Sequence, residues 1–280
     1  MQTKLKKAVK YFFRTLGIFL LALIIFYLFF LLVTKPSNNR NWSEDMTELS
    51  SGDIVENIAT INNVRNNLYR STSDFDVKYY QGTYDLTKLE KVYLLTDPFD
   101  NLGAHTMLSF EFSDGKKVAM SVEIRREVGE VFDNLKGMFR GYELYIVWAD
   151  EKDVIKLRTN YRLDNVYMYE LDMAKENIQR LFTEAILRTN ELKEKPEFYN
   201  LMTNNCTTNI AQMLQTVYKK PIVVDWRYLV PAYTEGLYMK YGFIKGQDIQ
   251  AVRAVNNIST AAKKCGDCEN FSEVIRVKGE

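Results

Sequence analysis

The 280 residues carry a net charge of +1, but residues 1–35 hold six Lys or Arg and no acid, so the 245 residues beyond them sum to −5. A mildly acidic body of that length is enough for one sizeable core and a poor partner for nucleic acid. Three cysteines are too few for a disulfide scaffold, and no Walker A loop, dinucleotide fingerprint, Gly-x-Ser-x-Gly elbow or internal repeat occurs.

Within residues 11–33 only Arg14 is charged, and residues 18–33 are all apolar or aromatic. At about 1.5 Å of rise per residue, such a stretch reaches across a hydrocarbon core of about 30 Å. Lys4, Lys6, Lys7, Lys10 and Arg14 precede it and only Lys35 and Arg40 follow closely, so the positive-inside rule leaves the N-terminus in the cytoplasm. A cleaved signal peptide competes with this, but the run is long and no small-x-small pair ends it. The expected organisation is a cytoplasmic N-terminus and anchor over residues 1–35, with an extracytoplasmic domain over residues 36–280.

Residues 36–90, rich in Asn, Ser, Asp and Arg, read as irregular chain with one or two short strands. Trp42, just past the span, is a candidate interfacial anchor. Residues 91–95 read as a short buried strand ended by a turn at Asp97-Pro98-Phe99-Asp100-Asn101. From residue 105 the chain alternates, with Thr106, Leu108, Phe110 and Phe112 on one face and His105, Met107, Ser109 and Glu111 on the other. Residues 117–124 alternate too, and a three-residue Ser113-Asp114-Gly115 loop with a left-handed Gly pairs Phe110 with Val118. The same register sets His105, the sole histidine, opposite Glu123, although Arg125 and Arg126 also compete for that carboxylate.

Residues 142–148 and 165–171 read as further strands, dense in Tyr, Val and Met. Between them the Asp150-Glu151-Lys152-Asp153 run suggests a solvated loop or helix face, or a contact for a polar substrate. Asp172 is placed to cap a helix whose Ile178, Leu181, Phe182, Ala185, Ile186 and Leu192 form one stripe. Asn204-Asn205-Cys206-Thr207-Thr208-Asn209 then opens a second helix with Ile210, Ala211, Met213, Leu214 and Val217 on one face. Cys206 therefore sits at a helix N-terminus, where the dipole favours its thiolate; the plainer reading is a small core residue after a cap. Beyond Pro221-Ile222-Val223-Val224-Asp225-Trp226, an aromatic stretch including Tyr228, Tyr233, Tyr238 and Tyr241 is either core or the lining of an apolar groove. Residues 249–264 look helical, and 271–277 read as a last strand or extended tail.

Cys265-Gly-Asp-Cys268 is spaced for a local disulfide in an oxidising compartment, leaving Cys206 as the free thiol. Thiol, imidazole and carboxylate together suffice for acyl transfer: Cys206 as nucleophile, His105 as base, Glu123 as its orienter. The oxyanion would meet backbone N–H groups at the helix start, Thr207 among them, helped by the side-chain amide of Asn204 or Asn205. Neither a cofactor nor a metal is required.

Blocks of the chain from about residue 40 to 276 resemble the Lnb N-terminal periplasmic domain family. They include Asn63-Val64-Arg65-Asn66, His105-Thr106-Met107-Leu108-Ser109-Phe110, Ser121-Val122-Glu123-Ile124-Arg125-Arg126-Glu127, Leu157-Arg158-Thr159, Phe198-Tyr199-Asn200 and Asn204-Asn205-Cys206-Thr207-Thr208, in the same order. The resemblance implies an α+β fold in which a single transmembrane helix precedes a circularly permuted papain-like (NlpC-type) domain with an antiparallel sheet. It also implies a cysteine acyltransferase that moves an acyl chain within the lipid anchor of a bacterial lipoprotein, from glyceryl ester to N-terminal amine, with His105 and Cys206 at the family's histidine and cysteine positions. The expected partners are the membrane and a membrane lipid or lipoprotein substrate, and the expected location is the inner membrane. This chain departs from the family's acyltransferases, which carry several spans, in having one. Two other functions fit the residues: a cysteine peptidase or amidase of the cell wall, and a non-catalytic anchor protein with a Cys3His zinc site built from Cys206, Cys265, Cys268 and His105.

Overall fold

A computed structural model describes residues 2–218, 225–228 and 230–277. The chain divides into two compact units, residues 1–37 and residues 38–280. The first is one helix, α1 (Gln2–Val33), of which Val9–Val33 is long and apolar enough to cross a membrane. One such helix ahead of a folded unit fits a single-pass membrane protein.

The second unit is mixed α/β. In chain order it contains β1 (Ser51–Val55), β2 (Ile58–Arg65), β3 (Leu68–Tyr69), β4 (Phe75–Asp76), β5 (Tyr79–Asp85), β6 (Leu89–Pro98), β7 (Ala104–Phe112) and β8 (Lys117–Arg125). There follow α2 (Asn134–Met138), β9 (Glu143–Ala149), α3 (Glu151–Lys156), β10 (Tyr167–Glu170), α4 (Lys175–Glu194) and α5 (Cys206–Tyr218). The chain ends in α6 (Thr234–Lys240), α7 (Ile249–Asn256), α8 (Ser259–Cys265) and α9 (Phe271–Val274).

Among the described residues, eight strands form one sheet in the order β1-β2-β9-β8-β7-β6-β10, with β5 added against β2. Every pairing is antiparallel except β2 with β9, which meet in parallel at Arg65 and Ala149. The β7–β8 register is the expected one: Phe110 faces Val118 and Met107 faces Ser121, around a loop whose Gly115 has φ +86°. Only glycine adopts that conformation at little cost.

Helices cover both faces of this sheet. The apolar residues Leu108, Phe110, Val118, Met120, Ile146 and Trp148 pack against the stripes of α4 and α5, and each stripe residue anticipated on those helices is buried. The opposite face of β7 and β8, polar by pattern, is buried as well. Met107, Ala119, Tyr145 and Val147 join Val154 and Ile155 of α3, Ala262 of α8 and Phe271 of α9 in a second core. Ser109 and Ser121 are fully buried there.

That second layer explains several departures from the sequence reading. The acidic run is not a solvated face: Asp150 caps α3, while Glu151 and Asp153 are buried. Asp153 takes a two-pronged contact from Arg65 at 2.9 and 2.8 Å, and Glu151 pairs with Arg276 at 2.8 Å. Buried carboxylates need such partners, and theirs lie 88 and 125 positions away, beyond any local pattern. Trp42 is no interfacial anchor; it is buried, with the Arg125 guanidinium 4.3 Å from its ring centre. Residues 36–90 hold five strands rather than one or two, three of them in the main sheet. Asp172 does not cap α4, which starts three residues later, and instead pairs with Lys245 at 3.0 Å. Extended backbone at Asn257 breaks the helix expected over 249–264 into α7 and α8. Residues 271–274 are helical, because Phe271 and Ile275 plug the second core. The segment 221–224 lies outside the described residues. Of the aromatic stretch after it, Leu237 and Tyr238 are core, whereas Trp226, Tyr233 and Tyr241 are exposed.

Candidate functional site

Cys206 is the first residue of α5, and the turn before it is built by carboxamides. Asn205 Oδ1 accepts the Thr208 N–H at 2.9 Å while Thr208 Oγ1 accepts the Asn205 N–H at 2.8 Å, a reciprocal cap. Asn205 Nδ2 donates to the Leu201 carbonyl at 2.6 Å. Asn204 Nδ2 donates to Glu197 Oε2 at 2.9 Å and to the Phe198 carbonyl at 3.0 Å, and its Oδ1 accepts from Asn209 at 2.9 Å. The amide hydrogens expected to face an oxyanion are thus committed to shaping the turn. Thr207 is buried, its hydroxyl 3.5 Å from that of Thr106. Thr208 and Asn209 find acceptors on Asn205, which leaves the N–H groups of Cys206 and Thr207 as the donors at the helix start.

The α5 stripe packs this helix on the sheet with its N-terminus at the start of β7. The Cys206 sulfur lies 4.0 Å from the Ala104 carbonyl oxygen, one residue before His105. The β7–β8 register then aligns the rest. His105 Nε2 is 2.7 Å from Ser121 Oγ and 3.2 Å from Glu123 Oε1, and Ser121 Oγ donates to that same carboxylate oxygen at 2.6 Å. With Nε2 occupied in this way, Nδ1 is the nitrogen left to serve the Cys206 thiol, to which the imidazole is electrostatically coupled.

Behind Glu123 stands Arg158, carried by a π-helical turn, Leu157–Arg162, that directly extends α3. Its Nη2 donates to Glu123 Oε1 at 2.8 Å, its Nη1 donates to the Val154 carbonyl at 2.9 Å, and its Nε lies 3.3 Å from Asp97 Oδ2. Ser121 and Arg158 are the residues that sequence reasoning missed. A serine on a polar strand face resembles any solvated serine; the available signal was its i, i+2 relation to Glu123, opposite a histidine. Tyr199 is a further neighbour, its phenol pushed up by burial and by the negative charges of Cys206 and Glu123.

The electrostatics of this chain of groups favour a charged pair. Burial, the largest effect, acts against the imidazolium and the Arg158 charge adds to it, but the Glu123 carboxylate and the Cys206 sulfur together overcome both and raise His105 to about 9. Burial likewise acts against the thiolate, and the His105 charge and hydrogen bond, aided by Thr106, lower Cys206 to about 7. Glu123 is held well below the usual carboxylate range by His105 and Arg158 in spite of its burial. Between about pH 7 and 9 the pair is thiolate and imidazolium, the nucleophilic form of cysteine.

The zinc alternative loses its ligand set. Cys265 and Cys268 are joined in a disulfide beside the second core, on the sheet face opposite α5, and Cys206 is the free thiol. Among the described residues no group of three or more His, Cys, Asp or Glu is arranged to hold a metal.

Fold and site together define a mixed α/β domain, following one apolar helix in the chain, with a buried thiol and a half-buried imidazole and carboxylate at the rim of a mostly antiparallel sheet. The model of the Lnb N-terminal periplasmic domain matches residues 75–232, more than half of the chain, and the chain belongs to that family. The match spans His105, Ser121, Glu123, Arg158 and Cys206. No match was found among curated proteins or among solved structures.

Proposed function

We propose that the protein is a membrane-anchored cysteine acyltransferase, working through an acyl-Cys206 thioester on the lipid anchor of bacterial lipoproteins. The observation that carries this reading is the Cys206–His105–Glu123 line, with the thiol at a helix start and its pKa near neutrality. Family membership and the candidate span support the lipid setting. A helix-borne cysteine that follows a strand-borne histidine in the chain is the arrangement of a circularly permuted papain-like domain. Basic residues before the span support an inner-membrane protein with its N-terminus in the cytoplasm.

In this mechanism the Cys206 thiolate attacks the ester carbonyl carbon, forming the C–S bond as the carbonyl electrons move to oxygen. The N–H groups of Cys206 and Thr207 receive that oxyanion. Collapse breaks the ester C–O bond, and His105 Nδ1 gives its proton to the departing glyceryl oxygen. The acceptor amine then attacks the thioester and loses its proton to His105, and cleavage of the C–S bond yields the amide and restores the thiolate. Glu123 stabilises the imidazolium through both half-reactions.

Mass spectrometry of lipoproteins from cells with and without the gene tests the substrate, and a shift from diacyl to lyso form is expected when the gene is present. Cys206→Ser and His105→Ala should each abolish that shift with the fold retained. Labelling by a lipid-like ester probe that persists in Cys206→Ser would sink the thioester. Turnover of a soluble peptide without detergent would instead favour the peptidase or amidase.

A further inference from the structure

The exposed large hydrophobic residues of the folded unit concentrate at one end of its sheet, the end that carries the site. Strands β6 to β9 are consecutively antiparallel, so the end of β6, the start of β7, the end of β8 and the start of β9 coincide. The β6–β7 turn presents Phe99 (63% exposed) and Leu102 (66%), and the β8–β9 connection presents Val131 (80%) and Leu135 (67%). Hydrogen bonds lock both connections to the neighbours of Cys206. Leu201 N–H donates to the Gly137 carbonyl at 3.0 Å and Asn200 Nδ2 to the Met138 carbonyl at 2.7 Å, just before the Cys206 turn. Ala232 N–H donates to the Leu102 carbonyl at 3.2 Å, bringing Tyr233 and its ring partner Trp226, both exposed, to the same rim.

The chain also enters the unit at this end. Ser43 N–H donates to the Arg126 carbonyl, Val128 N–H to the Asn41 carbonyl, and Arg40 pairs with Glu143 at 2.7 Å, so residues 40–43 run along the end of β8 and the start of β9. Only residues 34–37 separate this segment's unit from α1, and four residues extend at most about 14 Å. The connecting chain is therefore short enough to keep a bilayer crossed by such a helix within reach of this rim. Exposed apolar patches of this kind mark contact surfaces, and exposed aromatic rings suit the headgroup boundary.

We infer that this rim, carried by Phe99, Leu102, Val131, Leu135, Trp226 and Tyr233, dips into the surface of a lipid bilayer, so that the Cys206–His105 site lies at the lipid boundary. This goes beyond the acyl-transfer reading and does not depend on it, because insertion requires no thiol chemistry.

The protein carries its own reporter. Of its three tryptophans, Trp42 and Trp148 are buried in the unit and Trp226 is exposed. The full-length chain is reconstituted into phosphatidylcholine vesicles, with plain acyl chains or with chains brominated near the headgroup. Bromolipid should remove about a third of the tryptophan emission, the share of one residue in three. Trp226→Phe should abolish this quenching, and a Val131→Asp/Leu135→Asp double variant should at least halve it with an unchanged near-UV circular dichroism spectrum. Cys206→Ala should quench like the parent, which separates failure of docking from failure of the chemistry. Equal emission in plain and brominated vesicles overturns the inference. Emission that responds to the protein-to-lipid ratio and not to bromine also overturns it, and points to a second copy covering the rim.

Discussion

At His105 one imidazole nitrogen meets a hydroxyl and a carboxylate within 3.2 Å, and the consequence is a testable pH window. With Cys206 lowered to about 7 and His105 raised to about 9, kcat/KM should rise as pH passes about 7 and fall as it passes about 9. The linked stability follows the same groups. The imidazolium, favoured by the fold, contributes fully below its ordinary value of 6.5, and that contribution is lost as pH rises through about 9. The thiolate contributes fully above its ordinary 9.0, and its contribution is lost as pH falls through about 7. Glu123→Gln removes the charge that holds the imidazolium, so the alkaline limb should move down and the plateau should narrow or close, with activity falling about 100-fold or more. Ser121→Ala, which loses the contacts to both His105 and Glu123, should cost about 1–3 kcal/mol of stability and shift the alkaline limb by less. A pH–rate profile of the three proteins decides this. The His105–Glu123 pairing was legible because the Ser-Asp-Gly loop fixes the register of β7 on β8. Arg158 was not, since its place depends on a π turn and on a contact 35 positions away.

Among the elements, periodicity carried the helices α4 and α5 and the hairpin of β7 and β8, where apolar residues recur on one buried face. It failed for β1, β2 and β5, whose residues alternate with exposed polar ones at a sheet margin, and β2 is further interrupted near Asn63 at φ +57°. It failed again for α3, because charges held by distant arginines carry no local period. The Arg65–Asp153 contact joins β2 to α3, and Asp153 also accepts the Asn67 N–H at 2.7 Å. Asp153→Ala leaves a buried guanidinium uncompensated and should cost about 3–5 kcal/mol in chemical denaturation. The start of α5 is the other sensitive element. Asn205→Ala removes the cap on Thr208 and the Leu201 tie together, so stability should fall by about 1–2 kcal/mol. Activity should fall by more than the unfolded fraction explains, since Cys206 stands next in the chain. Loss of stability without that excess would show that the turn does not set the thiol's position.

For the whole molecule, the charge asymmetry around α1 and the cysteine arrangement make the same statement about which side of a membrane the folded unit occupies. Six Lys or Arg without an acid in residues 1–35 favour a cytoplasmic N-terminus. The Cys265–Cys268 disulfide suits an oxidising compartment and is not maintained against cytosolic glutathione. Both support the proposed orientation, with residues 38–280 outside the cytoplasm. Thiols trapped by alkylation in denaturant, directly from cells, should therefore be limited to Cys206, with two more sites on residues 265 and 268 becoming reactive only after reduction. Three alkylated cysteines before reduction would place the unit in the cytoplasm and remove the lipoprotein substrate from its reach. The outcome bears on the chemistry too: with the other two sulfurs bonded to each other, Cys206 is the one thiol that an acyl group can load, and no neighbouring thiol competes for the thioester.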